Sequence, residues 1–567
     1  MAQEKIDTAP LYVNPDRGVA VLNYSNKFIK DVFQLANSDE LADVIKVYLE
    51  DENYQKTPSA LNDASVQDYV DVIKDILMNR MDELKFDSED ILNSIEDLYS
   101  YYRSLLRVAT INKHQNDIVA TAFMDIDNQF NELVLKLYRT VEEKLQGHGN
   151  HIYRQVNAGS NACILTQSIK WPVPDKYAAL TSIRFIDTLM VRPPMMVHTK
   201  SNKREGVFSE TKQNPIENFK GDRDSWYCYP AWVGQSLAYI YFDRDYFSNG
   251  LALGNLFELA NEEDVKGHKP DIILLFGTEG AASDTDDNCH YFLDEENDIY
   301  VGQVPYNDKT TYFGYMKKMV LTLHNLSMIS KHKLPIHGSM VKITFSNGKT
   351  KSVVFFGDSG AGKSESIEAL QEIADDKIVN IETIFDDMGS FTLTGDDQAI
   401  YAQGTETGAF VRLDDLSSEV AFSNMDRGIY MNPELSNARC IIPANTYPNI
   451  VQHHHVDMWL YANNYSKEIG VHQFEDEESA KAVFVAGKRK ALGTTDEVGM
   501  STTFFANPFG PVQKQAETQP IIDEVFSSLF KKGTFVGEIY THLGYDKKKS
   551  SLNESAQELL DVLMNRD

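Results

Sequence analysis

The chain has 567 residues, with 54 Lys and Arg against 84 Asp and Glu, for a formal net charge of -30. At roughly 100–200 residues per domain, it is long enough for several domains with sizeable cores. A basic footprint for nucleic acid and a polybasic patch for anionic lipid are both absent, and 42% hydrophobic with 24% charged residues is a globular rather than a disordered composition.

The opening stretch, MAQEKIDTAPLYVNPDRG, has no apolar core of a secretion signal, and residues 1–60 are of mixed pattern. Four cysteines (Cys163, Cys228, Cys289, Cys440) form no CxxC pair, so neither a disulfide framework nor a cysteine zinc site is expected. With no run of about 18 apolar residues, a soluble cytoplasmic protein without membrane or nucleic-acid partners is the expectation. From about 64 to 147 apolar residues recur at three- and four-residue spacing, as in VQDYVDVIKDILMNRMDEL and SEDILNSIEDLYSYYRSLLRVA. Asp87 and Ser88 ahead of Glu89 and Asp90 read as an N-cap with an acidic first turn. Residues 1–150 are therefore expected to be a mainly helical region, a scaffold or a surface for a protein partner.

Beyond residue 150, short β-branched and aromatic runs (ACILT, AYIYF, DIILLF, DIYVGQV, MVKITF, KSVVFF) alternate with turns and helical segments, an α/β or α+β texture. Asn347–Gly348 between two such runs signals a hairpin, and GTEGAASDTDDNC (277–289) reads as a loop. The tail after about 540 begins basic and ends in a short helix.

The strongest local signal is Gly357, Asp358, Ser359, Gly360, Ala361, Gly362, Lys363 and Ser364, a full match to GxxxxGK[ST] between a strand-like run and a helix-like run. Glycines let backbone amides close on phosphate at a helix N-terminus. Lys363 would reach the outer phosphates of a nucleotide, and the Ser364 hydroxyl would ligate its metal ion. Asp386 and Asp387 end the apolar run IVNIETIF, 23 and 24 residues after Lys363, and adjacent carboxylates there suit Mg²⁺ or Mn²⁺. Taken alone, a DD pair in so acidic a chain is also an ordinary acidic turn.

The loop with its following Glu365 resembles that of HPr kinase/phosphorylases (GxSGxGKSE) and that of ATP-type phosphoenolpyruvate carboxykinases (GLSGTGKTT). The flanks resemble the second family: KPDIILLFG (269–277), TTYFGYMKKMVLTLHNLSMISKHKLPIHGSM (310–340), NARCIIP (437–443) and AKAVFVAGKRKALGTTDEVGMSTTFFANPFGP (480–511) stand in the family's order. The resemblance covers roughly 270–515 and implies a bilobal α/β fold. An N-terminal lobe would span 151–335, a P-loop lobe 336–540 and a tail 541–567. It implies a reaction of oxaloacetate with ATP giving phosphoenolpyruvate, CO₂ and ADP. Carried over by position, Tyr312 would pack near substrate. Lys317 and Lys318 match the family's lysine pair, the second being a Mn²⁺ ligand that must be neutral to coordinate. His337 and Asp387 match the other two ligands, Asp386 the adjacent acid, and Arg439 the arginine on the transferring phosphoryl group. Arg192, in MVRPPMM, would hold the carboxylate of oxaloacetate.

Each residue also has a plainer reading: YxxxMKK alone is a helix start with a solvated lysine pair, His337 alone a structural histidine, and His453–His455 surface. There are departures as well. Asp358, Ala361, Ser364 and Glu365 stand where the carboxykinase has Leu, Thr, Thr and Thr, Asp496 stands at the GTER arginine, and Gln403 at the GGCYAK lysine. They leave room for two alternatives: a P-loop kinase with a different protein or small-molecule acceptor, and a non-catalytic nucleotide-binding protein.

Overall fold

A computed structural model describes residues 10–25, 28–113, 122–153, 155–206, 208–279, 289–358, 360–394, 399–413, 425–491, 499–545 and 550–566. Ser359, Asp496, most of 277–289 and the basic start of the tail lie outside them. The fold is α/β, with helices set against two large mixed sheets.

The first sheet draws on Leu11–Asn14 (β1), Val19–Asn23 (β2), Leu106–Asn112 (β3), Ala162–Gln167 (β4), Arg184–Val191 (β5), Trp226–Val233 (β6), Ser236–Asp243 (β7), Ile272–Thr278 (β8), His290–Asp294 (β9) and Ile299–Pro305 (β10). Their spatial order is β1-β2-β3-β4-β5-β6-β7-β8-β10-β9. Helices Asp39–Glu50 (α1), Val66–Leu77 (α2), Ser88–Ser104 (α3) and Ala122–Gln146 (α4) cover its N-terminal end. Asp87 caps α3, accepting from the Glu89 amide at 2.9 Å, and Ser88 is the first helical residue.

One expectation is corrected here. The run SEDILNSIEDLYSYYRSLLRVA is not a single helix. It breaks at Leu105, and Leu106–Asn112 is a strand buried along its whole length, parallel to both β2 and β4. Sheet pairing on both edges outweighs the helical spacing, and a two-sided buried strand shows no alternation that periodicity can detect. Residues 1–150 are thus helical in the main, but they also extend the central sheet through three of its strands.

Helix Phe313–Ser330 (α5) lies between the two sheets, and all its residues except Lys318 and Ser330 are buried. The second sheet begins at once after it. Its strands include Leu334–Phe345 (β11), Thr350–Phe356 (β12), Ile378–Phe385 (β13), Met388–Thr394 (β14), Ala399–Gly404 (β15), Met458–Asn463 (β16) and Phe535–Tyr540 (β17), in the order β15-β14-β11-β12-β16-β17, with β13 also on β11. The hairpin signal at Asn347–Gly348 joins β11 and β12 as an antiparallel pair, with Gly348 at φ +83. Lys363–Ile373 (α6) packs on this sheet, and the tail helix Ser550–Asn565 (α7) covers it through Leu552, Ala556, Leu559 and Leu563. Among the described residues no helix is long and apolar enough to cross a membrane.

Burying α5 all round has a consequence at His324, which is 1% exposed and whose pKa burial lowers to about 4. Between pH 4 and 6.5 the unfolded chain binds a proton there that the folded chain does not. Stability therefore rises with pH across that window, by about 3 kcal/mol from this residue. Urea unfolding of His324→Gln is expected to show a shallower pH slope than wild type over the same interval.

Candidate active site

The loop 357–362 leaves β12 at the C-terminal end of three parallel neighbours, β12, β16 and β17, and enters α6 at Lys363. That is where a parallel arrangement leaves a crevice for ligands. Neighbouring strands hold the loop: Asn464 Nδ2 donates to the Gly360 carbonyl at 2.9 Å and Thr541 Oγ1 to the Ala361 carbonyl at 2.8 Å. Gly362 has φ +106, and a Cβ there would stand 2.7 Å from the Thr541 side chain, so no other residue fits. Lys363 is buried, and its Nζ donates to the Gly357 and Asp358 carbonyls at 2.7 and 3.3 Å. Burial lowers its pKa. Ser364 is exposed and Glu365 half-buried.

Three segments converge beside this loop. The second turn of α5 brings Lys317 and Lys318, β11 brings His337, and the turn between β13 and β14 brings Asp386 and Asp387. Asp387 is the centre. Its Oδ2 lies 2.6 Å from the Nζ of both lysines, and its Oδ1 lies 3.0 Å from His337 Nε2. The lysine pair is therefore not a solvated helix start. Asp386 is set behind, its backbone carbonyl accepting from Ser339 Oγ, and burial, then Asp387, raises its carboxyl.

Glu406, which belongs to no motif, and Asp358 of the loop complete the cluster. Glu406, 4% exposed, lies 3.1 Å from Lys317 Nζ, and its other oxygen accepts from Thr405 Oγ1 at 2.6 Å. Asp358 lies 3.4 Å from His337 Nδ1 and 3.0 Å from Arg489 Nε. The loop 357–362 thus brings a carboxylate to within 3.4 Å of the histidine, at a position where the carboxykinase pattern has Leu.

The lysines are driven apart. Burial pushes Lys317 down, but Asp387 and Glu406 together carry it up. Lys318 has one carboxylate and a cationic neighbour, and burial brings it down to about 8. Asp387 stays well below the usual carboxylate range despite burial, because Lys317 and Lys318 flank it. Burial raises Glu406. Neighbouring lysines in one low-dielectric site thus differ in how readily they give up a proton.

Aromatic rings wall the cluster. Phe509 stands 4.6 Å from Lys318 and 5.3 Å from Arg204, and edge-on to His337. Phe410 gathers Tyr312 at 5.9 Å, Lys317 at 5.5 Å and Arg439 at 5.3 Å. Tyr312 and Arg439 are in this way brought to the cluster. Arg192 is held elsewhere: its guanidinium pairs with Asp127 of α4 at 2.6 Å and donates to Asn128 at 2.7 Å. Gln403 is buried and donates to the Val451 carbonyl. Positive charge reaches the loop 357–362 instead from Arg489, while Asn464 ties the Lys490 backbone to it by bonding both the Gly360 and Lys490 carbonyls and the Lys490 ammonium lies over the Tyr545 ring.

Among the described residues no three His, Cys, Asp or Glu side chains are arranged to hold a metal ion. The candidate set has only two of those types, His337 and Asp387, and adds Lys318. Its donors fit a cation of intermediate hardness: a carboxylate, an imidazole nitrogen, and an amine whose proton burial has loosened. Neither a protein-family model nor a curated protein matches the chain.

Proposed function

We propose that the chain is a divalent-cation-dependent phosphoryl-transfer enzyme of phosphoenolpyruvate carboxykinase type, with a P-loop lobe built on the second sheet and the other lobe on the first. The observation that carries this reading is the meeting of Lys318 and His337 on the Asp387 carboxylate beside the loop that buries Lys363. Lys318, His337 and Asp387 would hold Mn²⁺ and Ser364 the Mg²⁺ of ATP. Such ions supply Lewis-acid charge for phosphate and enolate oxygens. Lys363 and Arg439 neutralise the transferring phosphoryl group, and Lys317, kept charged by Asp387 and Glu406, attracts the anionic substrate beside Tyr312. The overall conversion is oxaloacetate plus ATP to phosphoenolpyruvate, CO₂ and ADP. A coupled assay with Mn²⁺ tests it: phosphoenolpyruvate should form with wild type and not with Lys363→Ala. Equal traces in both exclude it.

The Arg192–Asp127 pair favours a second reading, a kinase with another acceptor, since the arginine assigned to the oxaloacetate carboxylate is engaged away from the cluster. ADP release with some other acceptor, and none with oxaloacetate, would select it.

Asp358 stands 3.4 Å from His337 Nδ1, which makes no hydrogen bond in this structure, and is the carboxylate placed to accept from it when Nε2 binds the ion. Asp358→Asn is expected to weaken Mn²⁺ binding about ten- to a hundredfold, read by titrating the free-ion paramagnetic resonance signal.

A further inference from the structure

The N-terminal layer contains a second site unrelated to phosphate chemistry. Between β1–β2 and helices α1 to α4 the core is not closed. A cavity of about 120 Å³ opens there, lined by Leu22, Val44, Ile73, Leu98, Phe130 and Val134 among others. Protein cores are close-packed, with few voids larger than a water molecule. Apolar cavities of roughly 150 Å³ stay dry and take up benzene. The six elements β1, β2 and α1 to α4 contribute walls, so a single larger side chain from any of them could have filled the space.

Two polar groups set the chemistry. The Tyr24 and Tyr99 rings line the cavity, and the hydroxyls of both are buried with no hydrogen-bond partner. A buried polar group left unpaired costs stability, and such groups are rare. The other two phenols on the wall are satisfied: Tyr102 donates to the Gly159 carbonyl at 2.8 Å, and Tyr138 to Glu96 at 2.6 Å. Glu40 also stands on the wall and disfavours an anion.

From this we infer that the N-terminal layer is a binding site for a small neutral aromatic molecule, of about six to ten heavy atoms, carrying one hydroxyl or similar hydrogen-bonding group for Tyr24 or Tyr99. The site is separate from the Lys318 cluster, and the inference stands whatever reaction that cluster performs.

Calorimetric titration of the full chain with p-cresol and with toluene tests it. Wild type is expected to bind p-cresol saturably at one site. Tyr24→Phe combined with Tyr99→Phe should weaken p-cresol about three- to tenfold, the worth of one hydrogen bond, and leave toluene unchanged. Val134→Phe and, separately, Leu41→Phe should weaken both probes at least tenfold by occupying the space. If one filling variant fails to fold, the other carries the comparison. Saturating ATP with Mn²⁺ should leave p-cresol binding unchanged. Absence of saturable binding to folded wild type, wild-type affinity in a folded filling variant, or displacement of p-cresol by ATP and Mn²⁺ would each overturn the assignment.

Discussion

Asp387→Asn is expected to abolish Mn²⁺-dependent phosphoryl transfer while leaving a folded protein that is about 3–5 kcal/mol less stable. The carboxylate has three partners, Lys317, Lys318 and His337, at 2.6, 2.6 and 3.0 Å. Asparagine keeps its volume and one acceptor but removes the only charge that faces all three. Lys317 retains Glu406 at 3.1 Å, so it does not become an isolated buried cation. Among the described residues Lys318 keeps no other carboxylate within ion-pair distance, and it sheds its proton more readily still. Folding therefore survives and ion binding does not. Urea unfolding gives the first quantity and Mn²⁺ titration the second. Wild-type Mn²⁺ affinity in a destabilised Asp387→Asn would contradict the role given to this carboxylate.

The second large effect lies in the Lys317–Glu406 pair, 3.1 Å apart, in which both side chains are almost wholly buried. Removing one member of such a pair is costly because the other remains buried and charged or must take up a proton; removing both is often mild. Lys317→Met alone is expected to cost about 3–5 kcal/mol. Adding Glu406→Gln should recover part of that loss, giving a coupling of roughly 1–3 kcal/mol in a double-mutant cycle. Strict additivity in urea unfolding would mean that Glu406 stabilises Lys317 very little. The pair also has a chemical part. It keeps Lys317 charged while burial draws Lys318 down to about 8, so one lysine holds its proton and its neighbour gives its proton up more readily.

Much of this was legible in the sequence, for identifiable reasons. The loop 357–364, the hairpin at Asn347–Gly348 and the strand ending in Asp386–Asp387 are local patterns with local causes, and each lies where its pattern places it. Lys317, Lys318, His337 and Asp387 were named together only because their blocks stand in the order of a known family. No periodicity brings the start of α5, the middle of β11 and a turn 50 residues further on to one point. Glu406 and Asp358 were not legible as cluster members. Glu406 belongs to no motif, and its partner is 89 positions away on a buried helix. Asp358 reads in the sequence as a loop residue standing where the family has Leu, and in the fold it lies between His337 and Arg489. Positions 403 and 496 lack the family's cations, and Arg489 brings one beside the loop through Asp358. The strand Leu106–Asn112 was hidden because burial on both faces erases alternation. Arg192, chosen on three residues of similarity, pairs with a helix of the N-terminal layer that has no counterpart in the resemblance.

The central claim is that Lys318, His337 and Asp387 form one cation site next to the phosphate loop. Pulsed paramagnetic resonance of Mn²⁺ bound to the full chain with ATP addresses it most directly. The account predicts nitrogen hyperfine couplings from two protein ligands, one lost in His337→Gln and the other in Lys318→Met. Bound Mn²⁺ with oxygen ligands alone, and a spectrum unchanged by both substitutions, would contradict it.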